Sequence, residues 1–145
     1  MFTKTMTGER RLSAWRQYRD NFPADGKLED VLEEFANTKT LSRYLDYYSP
    51  DSWPNVFDIV NEGYICQSGL TLIMVATLHN LGFINSETLH LEAISNFDTG
   101  KDGLVFTQGG MYYNFLPGEL VTEQHVKDNS TTFQKFIITT DKLYS

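Results

Sequence analysis

The stretch GYICQSGLTLIMVATLHNLG, residues 63–82, decides the fold of this 145-residue chain. Its apolar residues recur at helical spacing, and further apolar residues fill most of the other sides, which predicts a helix buried on nearly every face. Gly63 and Gly82 mark its two expected ends. Polar residues such as Gln67 and Asn80 interrupt the run, so it does not have the composition of a membrane span. We therefore expect a central core helix.

Helical patterns also precede this stretch. The first places Leu12 and Trp15 on one side of a helix and arginines on the opposite side, and the second has Asp25 as its expected N-cap. Pro50 and Pro54 predict a turn after the third, because each proline biases its neighbour away from helix. The predicted segments are residues 8–22, 28–37 and 40–48, followed by a brief helix through Val60 that Asn55 or Asp51 caps.

After Gly82 the pattern changes to strands. Residues 89–95 alternate with a period of two, and residues 103–107 and 111–116 flank Gln108-Gly109-Gly110, which is a strong hairpin signal. The remaining predicted elements are a short strand over 119–121, a helical turn over 123–128 and a final strand over 133–139. This order predicts an α+β fold in one domain, residues 1–145, with N-terminal helices and a buried central helix packed on a C-terminal antiparallel sheet.

The distribution of charge limits the possible partners. The net charge is −7, with +3 over residues 1–27 and −10 over the remainder. An acidic body repels phosphate, so nucleic acid is disfavoured, and only a local site on the first helix is left open for it. We expect a protein partner. The chain begins without an apolar leader and has one cysteine, which predicts a cytoplasmic protein without an internal disulfide.

Neither a metal nor a cofactor is predicted. No cluster of Cys and His has the spacing of a zinc site. Residues 98–103 are similar to the start of a calcium loop, but Gly100 stands at its third place and Gly109 at its twelfth, where a bidentate Glu is needed. No helix follows Gly109-Gly110, so this pair is neither a P-loop nor a dinucleotide fingerprint.

The candidate for chemistry is Cys66, at the start of the central helix. The partial positive charge at a helix N-terminus favours the nucleophilic thiolate. A thiolate mechanism also needs a general base within hydrogen-bond reach. His79 cannot be that base, because it lies on the same helix about 20 Å from Cys66 at about 1.5 Å of rise per residue. The alternative is that Cys66 is a small buried core residue, as free cysteines commonly are.

This part of the chain resembles the transglutaminase-like branch of the papain-like cysteine-protein superfamily. The resemblance rests on Cys66 opening a helix that ends in Leu81-Gly82-Phe83, and on Tyr112-Tyr113-Asn114-Phe115-Leu116-Pro117-Gly118. It implies that an antiparallel sheet follows the helix and that the next strand begins with the histidine that acts as general base. It also implies that Asn114 stands at the position of the third member of the catalytic triad.

The chain departs from this family at the position of the general base. The matching strand begins Asp102-Gly103, with no histidine. His125 falls after the hairpin, so His90 is the one histidine left to consider, although it comes earlier than the family spacing requires. The missing histidine favours a protein that is not an enzyme.

A second resemblance covers residues 49–60, Ser-Pro-Asp-Ser-Trp-Pro-Asn-Val-Phe-Asp-Ile-Val, and the preceding residues 11–16. Together they are similar to small proteins encoded by tailed bacteriophages, which implies an accessory or virion-associated protein in a bacterial host cytoplasm or a virion. We predict a non-catalytic binding or structural protein on a transglutaminase-like scaffold. The alternative is a cysteine hydrolase or transferase that acts on an amide or thioester substrate through Cys66, His90 and Asn114.

Overall fold

The computed structural model describes residues 1–145 and confirms the α+β fold. The first half of the chain is helical, with α1 (Gly8–Asp20), α2 (Leu28–Ala36), a 3-10 helix (Pro50–Ser52), α3 (Val56–Glu62) and α4 (Gln67–Asn80). The second half contains β1 (Thr88–Asn96), β2 (Asp102–Gln108), β3 (Met111–Leu116), β4 (Glu119–Thr122), α5 (Glu123–Asn129), β5 (Ser130–Thr139) and α6 (Thr140–Tyr144). The sequence therefore predicts the type of each element correctly except at three places: residues 40–48 form no helix, the predicted turn at Pro50–Ser52 is a 3-10 helix, and α6 was not predicted.

The five strands form one antiparallel sheet in the order β4-β3-β2-β1-β5. The predicted hairpin joins β2 to β3, with Gln108 opposite Met111 across a loop of Gly109 and Gly110. Gly109 and Gly110 have positive φ angles of 62° and 77°, which residues with a Cβ atom rarely adopt. The last strand, β5, returns to pair with β1 and forms one edge of the sheet.

Helix α4 lies between the N-terminal helices and the sheet, as its composition predicts. It is buried from Ser68 to Leu78, and its neighbours include α2, α3 and β2. The side chains of the sheet that share its core are Leu89, Leu91, Ala93, Leu104, Phe106, Tyr113, Phe136 and Ile138. We call this the inner face of the sheet. No helix of the chain is both long and apolar enough to cross a membrane.

The opposite, outer face of the sheet carries a smaller apolar cluster under α5, formed by Ile94, Val105, Tyr112, Phe115, Val121 and Val126. The same face contains a buried carboxylate. Glu92 is 6% exposed, and its two oxygens accept hydrogen bonds from the hydroxyls of Tyr112 (2.6 Å) and Thr132 (2.9 Å). These donors satisfy a group whose burial would otherwise be costly.

Arg11 contradicts the expectation that the arginines of the first helix all face outward. It is 8% exposed, and its guanidinium donates to the carbonyl oxygens of Val60 (2.7 Å), Asn61 (2.7 Å) and Met6 (2.8 Å). Two of these carbonyls belong to the last turn of α3, where backbone oxygens have no partner within the helix. Arg11 therefore ties α1 to the C-terminus of α3, and the apolar period of α1 alone gave no indication of this contact.

Two local predictions are wrong. Residues 40–48 form no helix, because their backbone amides bond elsewhere: that of Leu41 donates to the Ile65 carbonyl oxygen (2.8 Å) and that of Leu45 to the Cys66 sulfur (3.3 Å). Asp25 does not cap α2. The N-cap is Lys27, whose backbone N–H donates to the side chain of Asp30 (2.9 Å).

Candidate functional site

Cys66 is the N-cap residue of α4, which confirms its predicted place at the start of the buried helix. Its Sγ accepts hydrogen bonds from the backbone N–H groups of Gly69 (3.4 Å) and Leu45 (3.3 Å). The first bond is the N-cap interaction of α4, and the second comes from the segment that covers the helix end. Cys66 is only 4% exposed. The thiol therefore lies beneath residue 45 rather than at an open cleft.

The sheet splays apart next to this helix end. Strands β2 and β3 pair from Gln108 and Met111 as far as Phe106 and Tyr113, and no pairing continues beyond them. The side-chain amide of Gln67 fills the gap: its Nε2 donates to the carbonyl oxygen of Leu104 (2.8 Å), and its Oε1 accepts from the Leu104 N–H (2.8 Å). Gln67 therefore supplies Leu104 with the two hydrogen bonds that β3 would otherwise provide.

Asn114 lies where the strands separate and also joins the polar network. It is the one residue other than glycine with positive φ, 64°, and the register between β3 and β4 shifts directly after Tyr113. Its Nδ2 donates to Oγ1 of Thr71 on α4 (2.8 Å), and that hydroxyl in turn donates to the Leu104 carbonyl oxygen (2.8 Å). Gln67, Thr71, Asn114 and the Leu104 backbone thus form one hydrogen-bond network, and no buried side-chain polar atom in it lacks a partner.

Asp102, where the family resemblance would place a histidine, begins β2 and is exposed. Its carboxylate accepts a hydrogen bond from the Tyr48 hydroxyl (3.2 Å). The Tyr48 ring stacks on Tyr47 with centroids 4.5 Å apart and lies 5.8 Å from that of Phe133. We call Tyr47, Tyr48 and Phe133 the aromatic patch. Burial and the hydrogen bond to Tyr48 raise the pKa of Tyr47 above its usual range.

None of the three histidines lies beside Cys66. His90 is exposed on the outer face of the sheet, between inward-facing Leu89 and Leu91, so β1 itself separates its imidazole from the thiol. His79 stands at the C-terminal end of α4, with Nδ1 3.0 Å from the Tyr144 hydroxyl. His125 is exposed on α5, on the outer face, 5.8 Å from the ring of Phe115. The structure brings Cys66 and Asn114 to the same end of α4, but not His90.

Comparison with solved structures places this arrangement in a known fold. The calcium-bound form of Legionella pneumophila LapG matches with a TM-score of 0.63 and 14% identity, over 94% of this chain and 82% of that one. The chain has the fold of LapG. The EGTA-treated form of LapG gives a TM-score of 0.60 at 14% identity, covering 92% and 77%, and a third LapG structure gives 0.63 at 15%, covering 92% and 80%.

LapG is a transglutaminase-like cysteine protease, so the similarity supports the scaffold expected from the sequence. No family model and no curated protein matches the chain. The comparisons do not test the phage origin, which stays a prediction. In this chain no group of three or more His, Cys, Asp or Glu side chains is placed to hold a metal ion.

Sequence reasoning named Cys66 and Asn114, which the structure places at the same end of α4, but it did not single out Gln67 or Tyr48. Gln67 directly follows Cys66 in the chain, yet its hydrogen bonds are made to a strand 37 residues later. Tyr48 was assigned to a helix that does not form. The signal that could have found Gln67 is a polar residue in the first turn of a helix that is otherwise buried on all sides, because such a side chain needs a partner.

Proposed function

We propose that this chain is a non-catalytic binding protein built on the LapG fold, and, from the sequence resemblance alone, that it is an accessory or virion-associated protein of a phage. One observation carries the proposal: the side chains of the polar network at the N-terminus of α4 are two amides and a hydroxyl, those of Gln67, Asn114 and Thr71, with no imidazole among them. A cysteine nucleophile of this kind depends on a base that holds its proton. The only groups bonded to the Cys66 sulfur are the backbone N–H groups of Leu45 and Gly69, and neither is a base.

The burial of the Cys66 sulfur supports the same proposal. Its sulfur already accepts two backbone N–H groups, and the segment that contains Leu45 lies across it. An acyl substrate would have to displace this segment before its carbonyl carbon could approach Sγ. Leu45 is itself 7% exposed and part of the main core, so the displacement would also expose apolar surface.

The aromatic patch is the surface that we assign to the partner. Tyr48 and Phe133 are exposed, and the exposed carboxylates of Asp46 and Asp102 each accept a hydrogen bond from Tyr48, one from its backbone and one from its hydroxyl. Aromatic side chains are enriched in protein interfaces, and an arginine can stack on a tyrosine while it pairs with a carboxylate. We therefore propose a protein partner that presents arginine to this surface.

The second candidate function is the cysteine hydrolase or transferase, and the capping of Cys66 favours it. Two N–H groups directed at the sulfur at a helix N-terminus are the arrangement that stabilises a thiolate. Asn114 lies at the same end of α4, as the family resemblance implies. This function would require His90 or another base to reach the inner face, or a base supplied by a partner.

Alkylation of Cys66 tests the first proposal. We expect iodoacetamide to label the native protein at least about 100 times more slowly than the protein unfolded in urea, because labelling must wait for local opening. Labelling at or above the rate of the unfolded chain would contradict the proposal and favour the hydrolase. The matched control is Ala36→Cys, which places an exposed cysteine on α2 and should be labelled rapidly with or without urea.

Affinity capture with three variants separates binding from catalysis. A partner captured by the wild-type protein should remain bound and intact with Cys66→Ala, and should be lost with Tyr48→Ala. Tyr44→Ala is the matched control, since Tyr44 is 77% exposed and lies outside the aromatic patch. A captured protein that the wild type cleaves and Cys66→Ala leaves intact would establish the hydrolase instead.

A further inference from the structure

The two edges of the sheet are protected very differently. Strand β4 has four residues, begins with Glu119 and adjoins α5, and these are the usual ways in which proteins block an edge. Strand β5 has ten residues, contains no proline and has Lys135 as its only charge. Residues 134–139, together with Pro50, Asp51 and Lys142, line an open groove of about 470 Å³ at this edge. A long, weakly charged edge strand is a template for pairing with another strand.

The hydrogen bonds to β1 show which backbone groups of β5 are free. The Thr140 N–H donates to the Glu87 carbonyl oxygen (2.9 Å), and Leu89 lies opposite Ile138. In an antiparallel ladder, alternate residues direct both their N–H and C=O toward the same neighbour. The even-numbered residues from 136 to 140 therefore bond to β1. Lys135, Ile137 and Thr139 direct their backbone groups away from the sheet.

We propose that a second copy of this chain pairs with β5 in antiparallel register, with the two-fold axis at Ile137. In this register Ile137 faces Ile137 of the partner subunit, and Lys135 faces the partner's Thr139 on either side of the axis. All three are residues whose backbone groups point outward. Each facing pair exchanges two hydrogen bonds, so the six free groups of each copy are all satisfied. The two sheets become one sheet of ten strands.

The side chains favour this register over the one centred on Lys135. Ile137 is 68% exposed in the single chain, and the two-fold axis pairs it with its own copy. Each Lys135 lies at the end of the partner strand, two residues from the acidic Asp141. A register centred on Lys135 would place the two ammonium groups opposite one another, which is unfavourable. Charge thus disfavours the register centred on Lys135, and the exposed Ile137 gains an apolar partner in the register centred on Ile137.

The contact is small, so the dimer should depend on concentration. Six residues of strand from each copy bury less than the roughly 800 Å² per partner of a standard interface. We expect sedimentation velocity to show a monomer at about 1 µM and a dimer as the main species at several hundred µM, consistent with a weak interface. Ile137→Lys should be monomeric throughout that range. It should keep the wild-type circular dichroism, because the side chain at 137 is exposed.

Cysteine cross-linking tests the register. Facing residues of a hydrogen-bonded pair have Cα atoms about 5.5 Å apart, within the range that a disulfide spans. Under mild oxidation at several hundred µM, Ile137→Cys should form a covalent dimer at least about ten times faster than Lys135→Cys, whose copies do not face each other in this register. The buried Cys66 is common to both variants.

Each result is decisive. A concentration-dependent dimer with the expected cross-linking order supports the proposal. A monomer at every concentration would overturn it and leave the edge of β5 free for a different strand. Faster cross-linking of Lys135→Cys, or a dimer that persists in Ile137→Lys, would overturn the register or the location of the interface. None of these outcomes depends on whether Cys66 is catalytic.

Discussion

The side-chain amide of Gln67 pairs with the backbone of Leu104 as a facing strand residue would. Both bonds are 2.8 Å, one donated by Nε2 and one accepted by Oε1. A helix side chain thus completes a ladder that β3 leaves open after Asn114 turns away from β2. The first turn of α4 is therefore occupied by a structural contact between the helix and the sheet.

The first prediction concerns this contact. Gln67→Ala should lower the free energy of unfolding by about 2 kcal/mol, because it leaves the Leu104 N–H without a partner in a partly buried gap and leaves the Leu104 carbonyl oxygen with only the Thr71 hydroxyl as a donor. Urea denaturation followed by circular dichroism measures the change. Gln124→Ala is the matched control: it removes an amide whose bond to Asp128 is exposed, and it should cost less than about 0.5 kcal/mol.

An effect of Gln67→Ala as small as that of the control would mean that β3 closes onto β2, or that water replaces the amide. Either result would contradict the view that this amide is what holds the gap open.

The second prediction concerns Gly103, beside the same amide. A Cβ at this position would lie 2.9 Å from Oε1 of Gln67 and 3.0 Å from its Cδ, which is closer than ordinary contact. Gly103→Ala should therefore destabilise the wild-type protein by about 1 kcal/mol. In the Gln67→Ala background it should be neutral or stabilising by up to about 1 kcal/mol, because alanine restricts the unfolded chain.

A double-mutant cycle on these two residues measures their coupling directly. Additive effects of the two substitutions would show that the amide does not occupy the space beside Gly103 in solution.

The third prediction concerns the buried guanidinium of Arg11. Arg11→Met keeps most of the side-chain volume but removes the donors to three carbonyl oxygens, so it should cost about 3 kcal/mol in urea denaturation. Arg16→Met is the control on the same helix. The Arg16 side chain is 78% exposed and pairs with Asp20 at 3.8 Å, a contact worth less than about 1 kcal/mol. Equal effects of the two substitutions would refute the anchoring role of Arg11.

The fourth prediction concerns stability at alkaline pH. Burial, together with the nearby carboxylates of Glu34 and Asp30, raises the pKa of Tyr18 from 10.0 to about 12. The folded state therefore holds this proton more tightly than the unfolded state. The stabilisation is complete below about pH 10 and is lost as the pH rises toward 12.

Tyr18→Phe cannot lose a phenolic proton, so its stability should fall less steeply than that of the wild type between pH 10 and about 12. The two proteins should differ little at pH 7, because the Tyr18 hydroxyl makes no hydrogen bond within the chain. Urea midpoints measured at intervals across this range give the comparison. Parallel curves for the two proteins would show that Tyr18 titrates alike in the folded and unfolded states.

Local patterns in the sequence determined most of the elements and the fold class. The apolar run of α4 has no polar side to expose, so burial follows from composition, and Gly109-Gly110 permits the positive φ angles of a short hairpin. The position of Cys66 at the start of α4 also follows from local signals, because Gly63 interrupts the preceding segment and the periodic apolar pattern begins just after Cys66. These features need no knowledge of distant residues.

Only the tertiary structure decided how those elements meet, and with it the nature of the site. Residues 40–48 have helical spacing, but the backbone N–H groups of Leu41 and Leu45 donate to Ile65 and Cys66 instead of within a helix. The spacing of apolar residues cannot reveal such a competing acceptor. The face of β1 that carries His90 depends on its register with two other strands. Gln67 bonds to Leu104 where β3 has separated from β2 at Asn114, so this contact brings together three segments that are far apart in the chain.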